Sequence, residues 1–294
     1  LKIYPDLILD PRPRLETEFK ALKFLHDQNI RNVPKPKIKN KKFNIGIYSL
    51  IEGKQVSNIS IEKIEQCVGF VNKLKEIKNT RYKNFDHASE ACLSGKSLKD
   101  QIRTRLNNLS KVSNSNQNLK TFITKTFLPL SKEIESNYYS RWPVNSLNNN
   151  LDKKHLILSP SDFGLHNSLI NSDNEISFLD FEYFGWDDPV KLTSDFYWHP
   201  AMKLKENQKL FWLESMRNVF NDRDDYFEQR LESALPFYAL RWILILLNEF
   251  LVKEQKRRNH AKSTEEYNWD EVKKSQLSKA LDLSNSLRKY IENN

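Results

Sequence analysis

The sequence contains little cysteine: Cys67 and Cys92 are the only two in 294 residues. They form no C-x-x-C pair, and no cluster of histidines accompanies them. A disulfide framework needs several cysteines at regular spacings, and a structural zinc site needs about four Cys or His ligands. Neither is therefore indicated, and we expect a protein of the reducing cytoplasm.

A long uninterrupted apolar run is also missing. The most apolar stretch, residues 237–252, contains Arg241, Asn248 and Glu249. It is shorter than the roughly 20 residues that a membrane-spanning helix needs, so we interpret it as a buried core helix and expect no membrane partner. No charged segment followed by an apolar one opens the chain, as a signal peptide would. Because the first residue is Leu1 and not Met, we expect upstream residues to be missing from this sequence.

Glycine is scarce as well. The chain has six glycines, and none of them are clustered. A glycine-rich loop that covers nucleotide phosphates with its backbone is therefore not encoded within these residues.

The length and charge of the chain allow an ordinary globular protein. A hydrophobic fraction of 38% supports a sizeable core, in one large domain or in two lobes. The formal charge of +9 suits a nucleic-acid or phosphate partner. Since the basic residues are scattered, a solvated lysine-rich surface is favoured, and nucleic-acid binding is only a weak alternative.

The apolar patterns predict an α+β fold in two lobes. Residues 1–53 combine a short strand, a helix with apolar residues at helical spacing, and a second strand region that ends at Gly53. From Ser60, a plausible helix N-cap, the pattern is mainly helical. We therefore expect a small N-terminal lobe over residues 1–53 and a larger, mainly helical lobe over residues 54–294.

Residues 155–181 interrupt the helical region, and we call them the β-island. Their pattern predicts strands at 155–159, 168–170 and 176–181, with a turn over residues 171–174.

Three oxygen-bearing side chains lie in the β-island. Asp162 and Asn167 form a D-x-x-x-x-N loop, and Asp180 follows on the next strand. Phosphoryl transfer needs a carboxylate near the attacking hydroxyl and oxygen ligands that hold Mg²⁺ against the phosphates, and this arrangement supplies both. Asp and Asn are also ordinary turn residues, so each alone fits turn chemistry. Their combination with the strands and with the segment 185–189 favours the functional interpretation.

These segments resemble the aminoglycoside phosphotransferase and choline kinase family, which has a protein-kinase-like bilobal fold. The family pattern runs roughly H-G-D-x-x-x-x-N, then I-D-F-E/D, then G-x-x-D-P. Residues 156–189 are similar to it in order and spacing. The resemblance is moderate over residues 1–53 and is limited to overall shape elsewhere.

The resemblance implies a role for each matching residue. Asp162 would be the catalytic carboxylate that accepts or orients the substrate hydroxyl proton. Asn167 would be a Mg²⁺ ligand, and Asp180 the principal one. Asp188 falls on the D-P position, which is more often structural.

The N-terminal segment resembles the nucleotide-binding part of the family. Lys2 is similar to the strand lysine that reaches the nucleotide phosphates, and Glu18 is similar to its helical partner. The backbone around Ser49 and Leu50 would bind the nucleotide base.

The sequence departs from the family pattern at several points, one of which is Leu192, where the family often has Asp. Pro160-Ser161 replaces the His-Gly that precedes the catalytic Asp, which changes how that loop is braced. The glycine-rich hairpin expected before Lys2 either lies upstream or has been lost. His166, inside the loop, is expected to brace it rather than to act as a base.

The function implied is transfer of the γ-phosphate of ATP, or of GTP, to a hydroxyl of a small substrate, with Mg²⁺ as cofactor. Aminoglycosides, choline, sugars and amino-alcohols are the candidate substrate classes. The alternative is a catalytically silent kinase-like module that binds a nucleotide or a partner. The oligomeric state stays open.

Overall fold

The computed structural model describes residues 1–8, 10–77, 85–261 and 268–294. The chain divides into two compact units. The first comprises Leu1–Cys92 and Leu151–Phe227, and the second comprises Leu93–Asn150 and Glu228–Asn294. The predicted lobe boundary at residue 53 falls within the first unit and stays a prediction.

The described chain is mainly helical, with short antiparallel strands. Its strands are β1 (Lys2–Ile3), β2 (Pro36–Asn40), β3 (Ile45–Tyr48), β4 (Lys54–Gln55), β5 (Ile157–Ser159), β6 (Ser168–Ile170), β7 (Ile176–Phe178) and β8 (Gly185–Asp187). Its α-helices are α1 (Arg14–Asp27), α2 (Ile61–Lys75), α3 (Gly95–Ser113), α4 (Gln117–Phe122), α5 (Leu128–Tyr138), α6 (Val144–Asn148), α7 (Pro189–Trp198), α8 (Glu206–Phe220), α9 (Phe227–Leu246), α10 (Val252–Ala261) and α11 (Trp269–Glu292).

Helix α1 follows the apolar spacing of its sequence. Leu15, Leu22 and Leu25 are buried on one face. The helix gives way to Asn29, whose φ of 61° lies in the left-handed region that Asn tolerates better than most residues. This turn ends α1, and strand β2 begins at Pro36.

The first sheet has the strand order β1-β3-β2 and is antiparallel throughout. Lys2 pairs with Gly46, which pairs on its other side with Lys39. A Cβ at Gly46 would lie 2.5 Å from the Tyr48 hydroxyl oxygen, so only glycine lets that ring fold back along the strand. This sheet fixes the strand that carries Lys2.

The β-island forms two further sheets. Strands β6 and β7 make the predicted hairpin, with Ser168 opposite Phe178, and β4 extends it in the order β4-β6-β7. Strand β5 pairs with β8. The predicted strand at 155–159 begins only at Ile157, because residues 153–155 form a 3-10 turn. The predicted strand at 176–181 ends at Phe178, because the chain turns sharply at Asp180.

An aromatic cluster joins helix α2 to the β-island. The Phe70 ring lies 5.5 Å from that of Phe163 and 4.5 Å from that of Phe178, measured between centroids, and all three are buried. Helix α2 begins after Ser60, as predicted. The Ser60 hydroxyl interacts with the Glu62 carboxylate, and among the described residues it accepts no capping bond from the helix.

All of helix α9 after its first residue lies in the second unit. The segment Phe227–Phe250 is long and apolar enough to cross a membrane, yet 72% of its most apolar window is buried inside the protein. The buried helix both starts and ends earlier than the predicted core helix at 237–252. It starts at Phe227, ends at Leu246 and continues as a 3-10 turn over Leu247–Phe250.

Candidate active site

The loop that carries Asp162 follows strand β5 directly. Ser161 has a φ of 69°, in the left-handed region, and its N–H donates to Ser159 Oγ at 3.0 Å. Residues Leu165–Asn167 form a 3-10 turn. Asn167 Nδ2 donates to the Asp162 carbonyl oxygen at 3.0 Å, which closes the loop. Because the Asn167 amide nitrogen makes this bond, its Oδ1 atom is the side-chain atom that can bind a cation.

A buried lysine braces this loop from helix α7. Lys191 Nζ donates to Ser161 Oγ at 3.0 Å and lies 3.0 Å from Asp187 Oδ2 and 3.3 Å from Asp195 Oδ2. Only 1% of the Lys191 side chain is exposed. Burial raises the pKa of Asp187 to about 6, against the opposing effect of Lys191. An ion cluster thus braces the loop at Ser161.

We expect Lys191→Met to lower the free energy of unfolding by about 3 kcal/mol, because it leaves buried carboxylates without their cation. Lys96→Met removes an exposed i,i+4 pair with Asp100 and is the matched control, with an expected change below about 1 kcal/mol. Urea denaturation measures both. Equal losses in the two variants would contradict the bracing role.

Asp162 is held by two imidazoles. His166 Nε2 lies 3.0 Å and His199 Nε2 3.5 Å from the same oxygen, Asp162 Oδ1. Burial raises the pKa of Asp162, but its hydrogen bonds to His166 and His199 outweigh burial and hold the pKa below the usual range. Burial lowers the pKa of His199, and Asp162 opposes that shift. Asp162 is therefore ionised, and 34% of its side chain is exposed to solvent.

Lys2 and Glu18 form a salt bridge, with 2.6 Å between Lys2 Nζ and Glu18 Oε2. Glu18 is buried, accepts from the Tyr4 hydroxyl at 2.5 Å, and accepts from the Phe181 N–H at 3.2 Å. Burial lowers the pKa of Lys2. The neighbouring carboxylates, of which Glu18 has the largest effect, raise that pKa by more than burial lowers it, so the ammonium stays charged. The glutamate therefore ties α1 both to β1 and to the segment that carries Asp180.

Asp180 lies two residues after the end of strand β7, in a left-handed conformation with φ of 65°. Its Oδ1 is 2.7 Å from Lys2 Nζ. Burial, with the neighbouring Glu182 and Glu18 charges, raises the pKa of Asp180 to about 6 although Lys2 opposes this. A divalent cation would relieve that crowding of negative charge.

The oxygen donors near Asp180 fit Mg²⁺. The carboxylates of Glu18, Asp180 and Glu182 lie close enough together to share a cation. Because Asp180 Oδ1 contacts Lys2, its second oxygen and Asn167 Oδ1 are the donors that remain for a metal. Mg²⁺ prefers such oxygen ligands and keeps several waters.

A cleft of about 640 Å³ lies in the first unit, a volume typical of small-ligand sites. Six of the seven residues predicted for the site line it: Lys2, Glu18, Ser49, Leu50, Asn167 and Asp180. The seventh, Asp162, adjoins the cleft through His166 and Asn167, which also line it.

The predicted base-binding segment lies at the wall of this cleft. The Ser49 N–H donates to the Lys35 carbonyl at 2.8 Å, and Ser49 Oγ accepts from the Lys35 N–H at 2.8 Å. The Ser49 N–H is thus already used within the protein. The Ser49 carbonyl and the Leu50 backbone are the groups we consider for a nucleotide base.

We expect Glu18→Gln to weaken nucleotide binding about tenfold, a loss of about 1.4 kcal/mol, because Lys2 loses its most buried charged partner. Glu16→Gln is the matched control, since Glu16 lies on the same helix but pairs with Lys39. Calorimetric titration with ATP and Mg²⁺ measures the affinities. If Glu18→Gln bound ATP with unchanged affinity, Glu18 would have no role in nucleotide binding.

His199 and Lys191 are among the residues at this site that were not predicted from sequence. His199 follows Asp162 by 37 positions, and no local pattern marks it. Lys191 did leave a partial signal, because Lys191 and Asp195 are four residues apart and so share one face of α7, whereas Asp187 lies at the end of strand β8.

The sequence matches no family model and no curated protein. Solved structures do match the fold. An aminoglycoside phosphotransferase from Alicyclobacillus acidocaldarius superposes with a TM-score of 0.58 at 10% identity, over 96% of this chain and 85% of its own. The ADP-bound aminoglycoside phosphotransferase APH(2'')-Ib superposes with a TM-score of 0.53 at 16% identity, over 93% of this chain and 84% of its own. A choline kinase from Cryptosporidium parvum superposes with a TM-score of 0.52 at 12% identity, over 94% of this chain and 79% of its own.

These matches define the class of fold. The chain has the α+β, protein-kinase-like fold that these phosphotransferases share, which confirms the fold expected from the sequence. At such low identities the likeness concerns the fold alone, so the activity must be argued from the site.

Proposed function

We propose that this protein is a small-molecule kinase that transfers the γ-phosphate of ATP or GTP to a hydroxyl group. The observation that carries the proposal is the convergence of Lys2, Glu18, Asn167 and Asp180 on one cleft, with the ionised Asp162 beside it. These residues come from two distant parts of the chain, residues 2–18 and residues 162–180. Turn chemistry alone gives no reason for them to meet.

Each side chain has a distinct part in this proposal. Lys2, oriented by Glu18, contacts the nucleotide phosphates, and the backbone at Ser49 and Leu50 contacts the base. Asn167 and Asp180 hold Mg²⁺, which when bound neutralises charge on the phosphates. Asp162 orients the acceptor hydroxyl and accepts its proton as the oxygen attacks the γ-phosphorus and the nucleoside diphosphate leaves.

The acceptor is proposed as a small hydroxyl-bearing molecule handled in the cytoplasm. The structures of similar fold include proteins named as choline kinase and aminoglycoside phosphotransferase. Choline, amino-alcohols, aminoglycosides and sugars are therefore the compounds to test first.

The test has two stages. Thermal unfolding with ATP or GTP, with and without Mg²⁺, first measures nucleotide binding, for which we expect Mg²⁺-dependent stabilisation. Release of the nucleoside diphosphate is then followed with each acceptor class. Nucleotide binding without transfer to any acceptor would instead support a silent nucleotide-binding module, the alternative that the scarcity of glycine favours.

A further inference from the structure

The two imidazoles beside Asp162 form a stacked pair. The ring centroids of His166 and His199 are 3.8 Å apart, and the ring planes differ by 9°. Both side chains are largely buried, with 12% and 13% exposed. His166 belongs to the loop of Asp162, whereas His199 caps the C-terminal end of α7. Two separate elements thus present their rings to one carboxylate oxygen.

The hydrogen bonds determine which ring nitrogens carry protons. The Ala201 N–H donates to His199 Nδ1 at 3.2 Å, so in the neutral ring the proton lies on Nε2, the atom that faces Asp162. His166 Nε2 lies 3.0 Å from the ionised Asp162, which can only accept, so it also carries a proton. Both imidazoles therefore present an N–H to Asp162 Oδ1, His166 in a hydrogen bond of 3.0 Å and His199 at the longer distance of 3.5 Å.

The same three side chains lie close enough together to hold a metal ion. One feature disfavours that interpretation. His199 Nε2 has no lone pair to offer a metal while the Ala201 N–H occupies Nδ1.

The packing beneath His166 fixes the pair. A Cβ at Gly164 would lie 2.8 Å from His166 Nδ1 and 3.0 Å from Met202 Sδ, so glycine leaves the room that the ring occupies. With His199 stacked against it and Gly164 close to its Nδ1 atom, the His166 ring has little freedom to rotate.

We infer that His199 is a positioning residue for the proposed phosphoryl transfer, holding Asp162 by its Oδ1 atom together with His166. The other carboxylate oxygen is then the one that faces the acceptor hydroxyl. This inference rests on the proposed function, and it predicts that His199 affects turnover rather than nucleotide binding.

The first test compares three substitutions at one position. His199→Phe keeps a flat ring but removes the donor, and we expect kcat to fall about tenfold with the Kd for ATP unchanged, since a hydrogen bond to a charged group is lost. His199→Gln restores a donor and should recover kcat to within about threefold of the parent. His199→Ala removes both the ring and the donor, so its kcat should be lower than that of His199→Phe. Unchanged kcat in His199→Phe, or a Gln variant as slow as the Phe variant, would overturn the inference.

The second test does not depend on catalysis. Long-range ¹H–¹⁵N correlation spectra of the parent protein should contain an unprotonated Nδ1 and a protonated Nε2 for His199. The opposite tautomer, or stoichiometric Zn²⁺ binding that is lost in His199→Phe, would overturn the inference even if no acceptor substrate were found. A protein with the expected tautomer that transfers no phosphate would refute the proposed function and leave the hydrogen-bonded pair established.

Discussion

Asp162→Asn is expected to lower kcat by about 10²- to 10⁴-fold while nucleotide binding stays near the parent value. The amide has the same shape but cannot accept the proton of the acceptor hydroxyl. The substituted amide has a single acceptor oxygen, and the two imidazole N–H groups would hold that oxygen toward themselves. The orientation of the amide would therefore be restricted. Turnover measured with an identified acceptor, and ATP affinity measured by calorimetry, give the two quantities needed.

Asp173→Asn is the control for this substitution. Asp173 lies in the exposed hairpin turn of the same β-island, away from the residues that line the cleft. It should retain parental kcat. An Asp162→Asn variant with turnover within about threefold of the parent would exclude Asp162 as the proton acceptor.

Asp180→Ala is expected to abolish the Mg²⁺-dependent part of ATP binding, because it removes the charged oxygen ligand of the cleft. At a nucleotide concentration about 100 times the Kd, the parent should gain about 2.7 kcal/mol of stability from ligand binding, and the variant should lose most of it. Lys2 keeps its contacts with Glu18 and Glu182, so its position in the cleft is preserved. Thermal unfolding across a Mg²⁺ series measures the effect.

Asp173→Ala serves as the matched control here, since it removes an exposed carboxylate from the same β-island. Its Mg²⁺ response should equal that of the parent. If the Asp180→Ala variant also kept the full Mg²⁺ response, the metal would have to bind at other ligands.

Much of the fold and the cleft could be predicted because the informative residues are local in sequence. Asp162, Asn167 and Asp180 lie within one hairpin-containing stretch, whose turn residues and strand patterns are strong signals. The exact ends of the strands were less predictable. Strand β7 ends at Phe178 because Asp180 adopts a left-handed conformation, which hydrophobic alternation does not reveal.

The residues that brace the site could not be found in this way. His199 reaches Asp162 only because α7 packs beside the loop, and that contact depends on tertiary structure. The hydrogen bond of the Ser49 N–H could not be predicted either. Its acceptor, the Lys35 carbonyl, lies beside Ser49 only because two strand ends pair. In both cases long-range packing decides the chemistry of a single atom.

The central claim is that this cleft transfers phosphate to a small hydroxyl compound. The most direct measurement is product analysis by mass spectrometry and ³¹P NMR after incubation with ATP, Mg²⁺ and each candidate acceptor, alongside Asp162→Asn. We expect a phosphate ester on an acceptor hydroxyl in the parent reaction and none above background with the variant. Equal product from both proteins, or Mg²⁺-dependent ATP binding with no phosphate ester on any acceptor, would contradict the account.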